Sequence, residues 1–531
     1  MPVCAQYPVS AVLVTDLIPD ISVSSHRRRC LLAVVISLLF FTALAVAAPV
    51  DYVPGELLVR YQDNNIAAAV ARSLPGNKGV ERIARGIARV HLAPGQSMAQ
   101  AKQALLAQPQ IRYVQPNYIK RIQLIPDDTN FDTQWGFDNQ GQPVPGTTVT
   151  GTPNADVNAP EAWDITTGNA AVVVALIDTG IQLSHPEFAG RVWQNPDESP
   201  NGIDDDHNGF IDDTQGWDFV STVISPTGDN IPEDGNGHGT HMAGLIAARA
   251  NNGSQIAGLN WNLSLMVLRA FDSQGLGDTV SSVKAVDYAV ANGARIINAS
   301  FGAPGDICQD INAPDCDRME FEAYQRARDQ GVLVVTAACN GANSVGFDND
   351  NPLLSQQPCV PASYNLDNII AVASTDENDR LAPFSNWGAV SVDLAAPGTD
   401  IATTAWGDQR PNFADVVSGT SISTAFVSGA AALLLARGTA LGGNLSAQDL
   451  RRLLLTNTDS VPDLQGRVAT GGRLNIAKAL NAIEVSTVSK APSGGGGGGG
   501  GGAWSLDIIL MLLWRLWRDR NACYSLLARR T

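Results

Sequence analysis

The feature that most constrains this chain is the placement of three reactive side chains at the ends of apolar runs. Asp178 directly follows the apolar run 172–177, whereas His238 and Ser421 each follow a glycine-containing turn and begin an apolar-rich stretch. The run before Asp178 predicts a buried strand, and the other two stretches predict buried helices. Ligand sites in open α/β sheets lie where strands end, and helix N-termini favour developing negative charge. The pattern therefore predicts an α/β fold with a chemical site at one edge of its sheet.

These three side chains form a complete set for nucleophilic catalysis. A serine hydroxyl is a weak nucleophile at neutral pH, so it needs an imidazole to accept its proton and a carboxylate to orient that imidazole. The surrounding segments are ALIDTG at 175–180, GHGTHMAG at 237–244 and SGTSIS at 418–423. In this order they resemble the signature blocks of the subtilisin-like serine proteases, and the resemblance extends from about Asn130 to Ile483.

The resemblance implies a fold, a reaction and a role for each group. The fold is a doubly wound, mostly parallel α/β sheet, with a small α/β propeptide domain before it. Ser421 is the expected nucleophile that forms an acyl-enzyme, His238 moves the proton, and Asp178 orients His238. Asn340, which follows the apolar run 332–338, is the expected side-chain donor to the oxyanion. Such a donor contributes about 3 to 4 kcal/mol in the transition state, the magnitude found for subtilisin itself.

Some residues depart from the family pattern around these groups. Cys339 replaces the usual glycine before Asn340, and Ile422 and Ala425 replace the usual methionine and proline after the serine. None of the replaced side chains transfers a proton, so we expect the chemistry to be retained.

The same resemblance predicts the substrate-binding segments. Ser300, Phe301 and Gly302 are expected to form a wall of the primary specificity pocket. A second segment, Gly275, Leu276 and Gly277, is expected to pair with substrate backbone as an added strand. Gly341 occupies a position where an acidic residue can favour basic side chains, so we expect an apolar or broad preference. The alternative is that Asp306 points into the pocket and selects Lys or Arg.

A dense acidic loop predicts a structural calcium site. Oxygen-bearing side chains alternate along it and a glycine follows for a sharp turn, as in the first half of an EF-hand loop. The expected ligand residues are Asp204, Asp206, Asn208, Phe210, Asp212 and Asp213. The twelfth position is Gln215 and the match is partial, so a solvated acidic turn is the alternative. Three acidic residues elsewhere are possible further ligands: Glu187, Asp229 and Asp234.

Composition and the N-terminal segment indicate an exported protein. The chain has 531 residues, 44% of them hydrophobic, and a net charge of −17, which argues against nucleic-acid binding. Residues 1–47 contain Arg27–Arg29, an apolar stretch and small residues at 45–47, the pattern of a signal peptide with an N-terminal extension. A permanent membrane anchor is the alternative. We expect a secreted monomer, with transient membrane contact through this segment.

Export is consistent with disulfide bonds among the cysteines of the catalytic region. Their spacing favours the pairs Cys308–Cys316 and Cys339–Cys359, one of three possible connectivities. A metal site at these residues is disfavoured because no CxxC spacing or nearby histidine accompanies them.

The catalytic domain is predicted to span residues 130–485, and the segments before and after it are predicted to have other roles. Residues 48–125 resemble a subtilase propeptide, which assists folding, inhibits the enzyme and is removed by self-cleavage between about Tyr118 and Asn130. The alternative is a permanent extra domain. Residues 486–502 form a glycine-rich linker. The tail 503–531 resembles the sorting tails of Gram-negative secreted proteins, which a rhomboid-type protease removes. The alternatives for this tail are an interfacial helix or an end without function.

Together these observations predict a secreted, calcium-stabilised serine endopeptidase of broad or apolar specificity. Its expected partners are protein or peptide substrates and its own propeptide. Two alternatives remain open from the sequence. One is a narrow-specificity processing protease, and the other is a catalytically silent binding protein with the same fold.

Overall fold

The computed structural model describes residues 52–61, 74, 77–118, 124–220, 227–308, 316–351, 358–407 and 413–488. The predicted signal segment 1–47, the linker beyond residue 488 and the tail 503–531 lie outside the described residues. Two compact units divide the chain, Met1–Ile122 and Gln123–Thr531.

The first unit is a four-stranded antiparallel sheet with one helix. Its elements are β1 (Tyr52–Tyr61), β2 (Gly79–Ala84), β3 (Ile87–His91), α1 (Met98–Leu106) and β4 (Ile111–Tyr118). The strand order is β2-β3-β1-β4. Leu57, Val59 and Tyr61 alternate along β1 and are buried with Leu105 of α1, because successive side chains of a strand point to opposite faces. The small α/β unit predicted from the sequence is confirmed.

The second unit is built on a nine-stranded sheet of order β16-β17-β13-β12-β10-β8-β5-β7-β6. Every pairing in it is parallel except β16 with β17. Its strands are β5 (Gly168–Asp178), β6 (Gly216–Asp218), β7 (Asn262–Arg269), β8 (Ile296–Ala299), β10 (Leu333–Ala337), β12 (Ile369–Thr375), β13 (Leu394–Pro397), β16 (Asp459–Ser460) and β17 (Gly472–Arg473). Two short antiparallel pairs lie outside this sheet: β9 (Ala303–Pro304) with β11 (Cys359–Val360), and β14 (Ile401–Thr403) with β15 (Asp415–Val417).

Helices cover both faces of the large sheet. They are α2 (Ala159–Trp163), α3 (His238–Ala247), α4 (Thr279–Ala291), α5 (Arg318–Asp329), α6 (Thr420–Ala440), α7 (Ala447–Thr456) and α8 (Ile476–Val488). Short 3₁₀ turns occupy Phe131–Thr133, Pro186–Phe188, Ala342–Ser344 and Pro462–Leu464.

Successive side chains of β5 point to opposite faces of the sheet and pack in two different hydrophobic cores. Val174 and Leu176 belong to the core that includes α3, α6, α7 and α8. Ala175 and Ile177 belong to the core that includes α4 and α5. Helices on both faces of a mostly parallel sheet define the doubly wound α/β class, so the predicted fold is confirmed.

The long helix α6 lies at the centre of this unit. It packs against β5, β8, β10 and β12, and most of its residues are buried, from Thr420 to Gly438. Among the described residues it is the one helix that is long and apolar enough to cross a membrane, by length and composition alone. Its burial inside the unit accounts for that composition, because a helix that is apolar all round is typical of a large core.

Candidate active site

Asp178 ends β5 and is almost fully buried, with 2% of its surface exposed. Its Oδ1 accepts hydrogen bonds from the Thr179 backbone N–H at 2.8 Å and from His238 Nδ1 at 2.7 Å. The Asp178 carboxylate thus lies at the C-terminal end of the strand, within hydrogen-bond distance of the His238 imidazole.

His238 is the first residue of α3 and follows Gly237, whose φ of 105° is a conformation that favours glycine. Burial lowers the pKa of His238, but the Asp178 carboxylate outweighs this effect and the pKa is raised above its ordinary value. With Nδ1 bonded to Asp178, Nε2 is the ring nitrogen left for a second partner.

A second buried carboxylate, Asp234, organises the turn that carries His238. Its Oδ1 accepts hydrogen bonds from Thr179 Oγ1 and from the backbone of Asn236 and Gly237, at 2.8 to 2.9 Å. Its Oδ2 accepts from the Thr240 backbone and hydroxyl. From the sequence, Asp234 was expected only as a further calcium ligand, and its role in this turn was not predicted. An acid four residues before a glycine-rich helix start is the signal that could have revealed it.

Ser421 lies in the first turn of α6, and its backbone carbonyl accepts a hydrogen bond from Ser300 Oγ at 3.2 Å. Asn340 is oriented by Thr420, whose N–H and Oγ1 both donate to Asn340 Oδ1, at 3.0 and 3.1 Å. These bonds occupy the oxygen of the amide and leave Nδ2 as its free donor.

Gly419 keeps open the space between the serine hydroxyl and this amide. A Cβ at Gly419 would lie 3.1 Å from Ser421 Oγ and 3.5 Å from Asn340 Nδ2. A carbonyl group placed there would have its carbon within reach of the serine hydroxyl and its oxygen within reach of the Asn340 amide.

A cleft of about 510 Å³ brings these residues together. Asp178, His238, Asn340 and Ser421 all line it. Other lining residues include Asn236, Phe271, Gln274, Gly275, Ser300, Phe301, Gly302, Pro304, Ala337, Cys339, Phe347, Cys359 and Asn386. The structure thus gathers groups that are far apart in the sequence, as the sequence pattern predicted.

The predicted substrate segments lie at this cleft to different extents. Ser300, Phe301 and Gly302 line it, and the Phe301 ring lies 4.7 Å from that of Phe271. Of the second segment, Gly275 lines the cleft. Leu276 is 65% exposed, and Gly277 forms a bridge with Phe271.

Asp306 takes no part in lining this cleft as far as the described residues show. Its Oδ1 accepts a hydrogen bond from the Cys308 backbone at 2.8 Å and so stabilises a local turn. Asp178 is the one acidic residue among the described residues that line the cleft.

Both predicted disulfide bonds, Cys308–Cys316 and Cys339–Cys359, are present. Cys339 has a φ of 77°, in the left-handed region where glycine is most easily accommodated. This backbone conformation explains why the related pattern has glycine at the same place.

The acidic loop gathers three carboxylates, two of which were predicted. Ligand oxygens of Glu198, Asp204 and Asp206 lie within 4.8 Å of one another. Glu198 was missed, because it lies outside the alternating pattern and reaches the loop only through folding. Its Oε1 accepts hydrogen bonds from the backbone N–H groups of Asp205 and Asp206.

The other predicted ligands of this loop have partners within the protein. Asn208 Nδ2 donates to Asp206 and Asp213, and Asp213 also accepts from Asn195. Asp212 accepts from the backbone of Asn201 and Gly202. The Phe210 ring packs against Trp217, Phe219 and Tyr288.

A second acidic pair, Asp128 and Glu187, is buried elsewhere in the same unit. Burial raises the pKa of both carboxyls, that of Glu187 to about 7, and Asp128 adds to the shift of Glu187. Asn252 Nδ2 donates to Glu187 Oε2 at 2.9 Å, whereas Glu187 Oε1 has no hydrogen-bond partner among the described residues. An orphaned buried carboxylate oxygen beside a second carboxylate is suited to a hard cation such as calcium.

A doubly wound α/β sheet with a paired aspartate and histidine, a helix-terminal serine and a free amide around one cleft is the architecture of a serine hydrolase. Comparisons with known proteins define the class further. Residues 169–478 match the model of the subtilase family, peptidase S8, and residues 42–117 match that of the fervidolysin N-terminal prodomain.

Two relatives in sequence agree with the family match. The chain is 32% identical over 391 residues to the thermophilic serine proteinase of Bacillus sp. strain AK1, covering 73% of this chain and 79% of the relative. It is 34% identical over 327 residues to thermitase of Thermoactinomyces vulgaris, covering 61% and 93%. A solved structure of proteases from Pseudoalteromonas arctica PAMC 21717 has 25% identity and a TM-score of 0.49, covering 67% of this chain and 99% of that one.

The chain therefore belongs to the subtilase family. It is a subtilisin-like serine endopeptidase with an N-terminal prodomain.

Proposed function

We propose that this protein is a secreted endopeptidase in which Asp178, His238 and Ser421 cleave peptide bonds through an acyl-enzyme. The observation that carries the proposal is the 2.7 Å bond between Asp178 Oδ1 and His238 Nδ1, inside the cleft that Ser421 also lines. This bond leaves His238 Nε2 to take the proton from Ser421 Oγ as the hydroxyl attacks the carbonyl carbon. His238 then gives the proton to the leaving amine, and water repeats the sequence to release the acid product.

The oxyanion of each tetrahedral intermediate is held by two donors. One is Asn340 Nδ2, whose orientation is fixed by Thr420. The other is the Ser421 backbone N–H, which lies in the first turn of α6, where amides have no partner within the helix. Because these donors act on charge that develops only in the transition state, they raise kcat rather than substrate affinity.

The cleft favours apolar or broad side-chain specificity. The described residues of its wall include Phe301, Pro304, Ala337 and Phe347. The Asp306 carboxylate instead accepts a hydrogen bond from the Cys308 backbone within a local turn. A basic side chain in this pocket would be desolvated without a counter-charge, which is unfavourable. This argues against a narrow preference for Lys or Arg.

The protein is made as a zymogen under this proposal. The prodomain match and the separate four-stranded unit support an inhibitory propeptide. We place its self-cleavage between about Tyr118 and Asn130. The signal-like segment 1–47 supports export, and the tail 503–531 is proposed to provide a transient membrane contact during sorting.

Calcium is proposed as a structural cofactor at two places. The buried pair Asp128 and Glu187 fits a cation because Glu187 Oε1 lacks any other partner in the described structure. Glu198, Asp204 and Asp206 offer a second, more exposed set of oxygens. At either place calcium would neutralise adjacent carboxylates and hold distant segments together, with no part in bond cleavage.

Intact-mass analysis of the wild type beside Ser421→Ala, both expressed without the signal, tests the proposal. We expect the wild type to lose about eighty residues while the variant stays whole. Wild-type enzyme should also react with a serine-directed phosphonylating probe, and the variant should not. If folded wild type stays whole and does not react, the catalytic proposal is wrong and the silent binding protein takes its place. A peptide-library cleavage profile dominated by one basic residue would instead establish the narrow processing protease.

A further inference from the structure

The disulfide between Cys339 and Cys359 lies in the wall of the catalytic cleft. Both cysteines line the cleft together with Ser421 and Asn340. Cys359 is 1% exposed and belongs to β11, and Cys339 directly precedes Asn340. The bridge therefore joins the loop that carries the oxyanion donor to a strand at the pocket wall.

Gly302 shows how closely the two sulfur atoms approach this wall. A Cβ added to Gly302 would lie 2.7 Å from Cys359 Sγ and 2.8 Å from Cys339 Sγ. Gly302 is itself a cleft residue, and Cys359 pairs with Pro304 two residues further on. The space that a side chain at residue 302 would need is thus filled by the disulfide.

We propose that the Cys339–Cys359 disulfide determines primary-pocket specificity, because it limits pocket depth and its partly exposed half, Cys339, forms an apolar surface for the substrate side chain. This inference rests on the proposed function, since it concerns the substrate of the same site. Sulfur is polarisable and a weak hydrogen-bond acceptor, so it contacts apolar and aromatic groups favourably. The bridge accordingly selects apolar side chains of restricted size.

Cys339 has a second consequence as a positioning residue for Asn340. Its backbone is held at a φ of 77°, and its carbonyl accepts a hydrogen bond from the Asn386 backbone at 2.9 Å. Gly341, on the other side of Asn340, donates its N–H to the Phe384 carbonyl at 2.8 Å. The disulfide adds a covalent restraint on the Cys339 side, so its removal loosens the oxyanion donor for every substrate.

Replacing the bridge by Cys339→Gly with Cys359→Ala separates these two effects. Peptides that differ only in having Ala, Leu, Phe or Lys before the cleaved bond report on the pocket. We expect the Phe-to-Ala ratio of kcat/KM to rise about tenfold, as one group of methylene size changes discrimination by about 10- to 200-fold. We expect kcat to fall for all peptides by less than the roughly 10²- to 10³-fold effect of losing a donor.

The variant Cys308→Ser with Cys316→Ser is the matched control, because this second disulfide does not line the described cleft. Its Phe-to-Ala ratio should equal that of the wild type. Active-site titration with the phosphonylating probe gives the concentration of competent enzyme in each sample.

The inference alone would be overturned if the wild type cleaves peptides through Ser421 and loss of the bridge changes the Phe-to-Ala ratio of kcat/KM by less than about twofold. Absence of Ser421-dependent cleavage in the wild type would instead refute the proposed function. If the bridge variant does not fold, reduction of the remaining bridge in matured Cys308→Ser, Cys316→Ser enzyme provides the test, with a thiol count showing that the Cys339–Cys359 bond is open. The Phe-to-Ala ratio should rise on reduction, and an unchanged ratio in the reduced enzyme contradicts the inference.

Discussion

Substituting Gly419→Ala should abolish most catalysis, beyond the moderate loss of stability expected at a residue with a φ of 158°. The new methyl group would lie 3.1 Å from Ser421 Oγ and 3.5 Å from Asn340 Nδ2, in the space that the oxyanion must enter. Losing one oxyanion donor costs about 10²- to 10³-fold in kcat. Because the methyl group keeps the oxygen from both donors, we expect a loss of at least about 10³-fold, or about 4 kcal/mol of transition-state stabilisation.

The assay compares kcat and KM of Gly419→Ala, Asn340→Ala and the double variant. Each is matured by a trace of tagged wild-type enzyme that is then removed. The two substitutions act on the same oxyanion, so the double variant should lose much less than the product of the single losses. Thermal unfolding should show a lower Tm for Gly419→Ala, because an L side chain rarely adopts the backbone conformation of Gly419, with φ 158° and ψ 159°. Kinetics are therefore measured at a temperature where every variant is folded by circular dichroism. A well-folded Gly419→Ala enzyme with kcat within tenfold of the wild type would refute this geometry.

Three further predictions concern charge. The His238 pKa is raised by Asp178, and His238 must be neutral to act as a base, so activity should disappear as pH falls through that raised value. Asp178→Asn should move this acid limb of the kcat/KM profile to lower pH and reduce kcat by about 10⁴-fold. An unmoved acid limb would show that another group titrates. Burial raises the pKa of Glu320 to about 7. The folded protein should therefore lose about 3 kcal/mol of stability as pH rises from about 4.5 to 7. Glu320→Gln, in a Ser421→Ala background that prevents autolysis, should flatten this part of the curve in denaturant unfolding, and an unchanged slope would contradict the assignment. Glu187→Gln should reduce the rise in Tm that calcium produces, whereas equal rises in variant and wild type would remove Glu187 from the calcium site.

The sequence predicted the parts of the fold and site that depend on local patterns. Asp178, His238 and Ser421 lie at the strand end and helix starts expected from the apolar runs beside them. Close spacing was enough to predict both disulfide pairs, because short loops between cysteines leave few alternatives.

What the sequence did not reveal depends on contacts that form only when the chain folds. Glu198 reaches Asp204 and Asp206 only because the chain doubles back. The pairing of Asp128 with Glu187 and the bonds from Asp234 to Thr179 join segments more than fifty residues apart. The contact of Gly302 with both sulfurs likewise requires β9 and β11 to pair. No periodicity along the chain encodes such contacts.

The position of Ser421 on α6 has a consequence for the lifetime of the enzyme. This helix packs on four central strands, and its first turn carries the attacking hydroxyl. Local opening of surface loops therefore leaves the nucleophile in place, whereas any event that displaces it must disrupt the core of the whole unit. The capacity of Ser421 to react with a phosphonylating probe should consequently be lost on heating at the rate of global unfolding, even where local opening lowers peptide cleavage sooner.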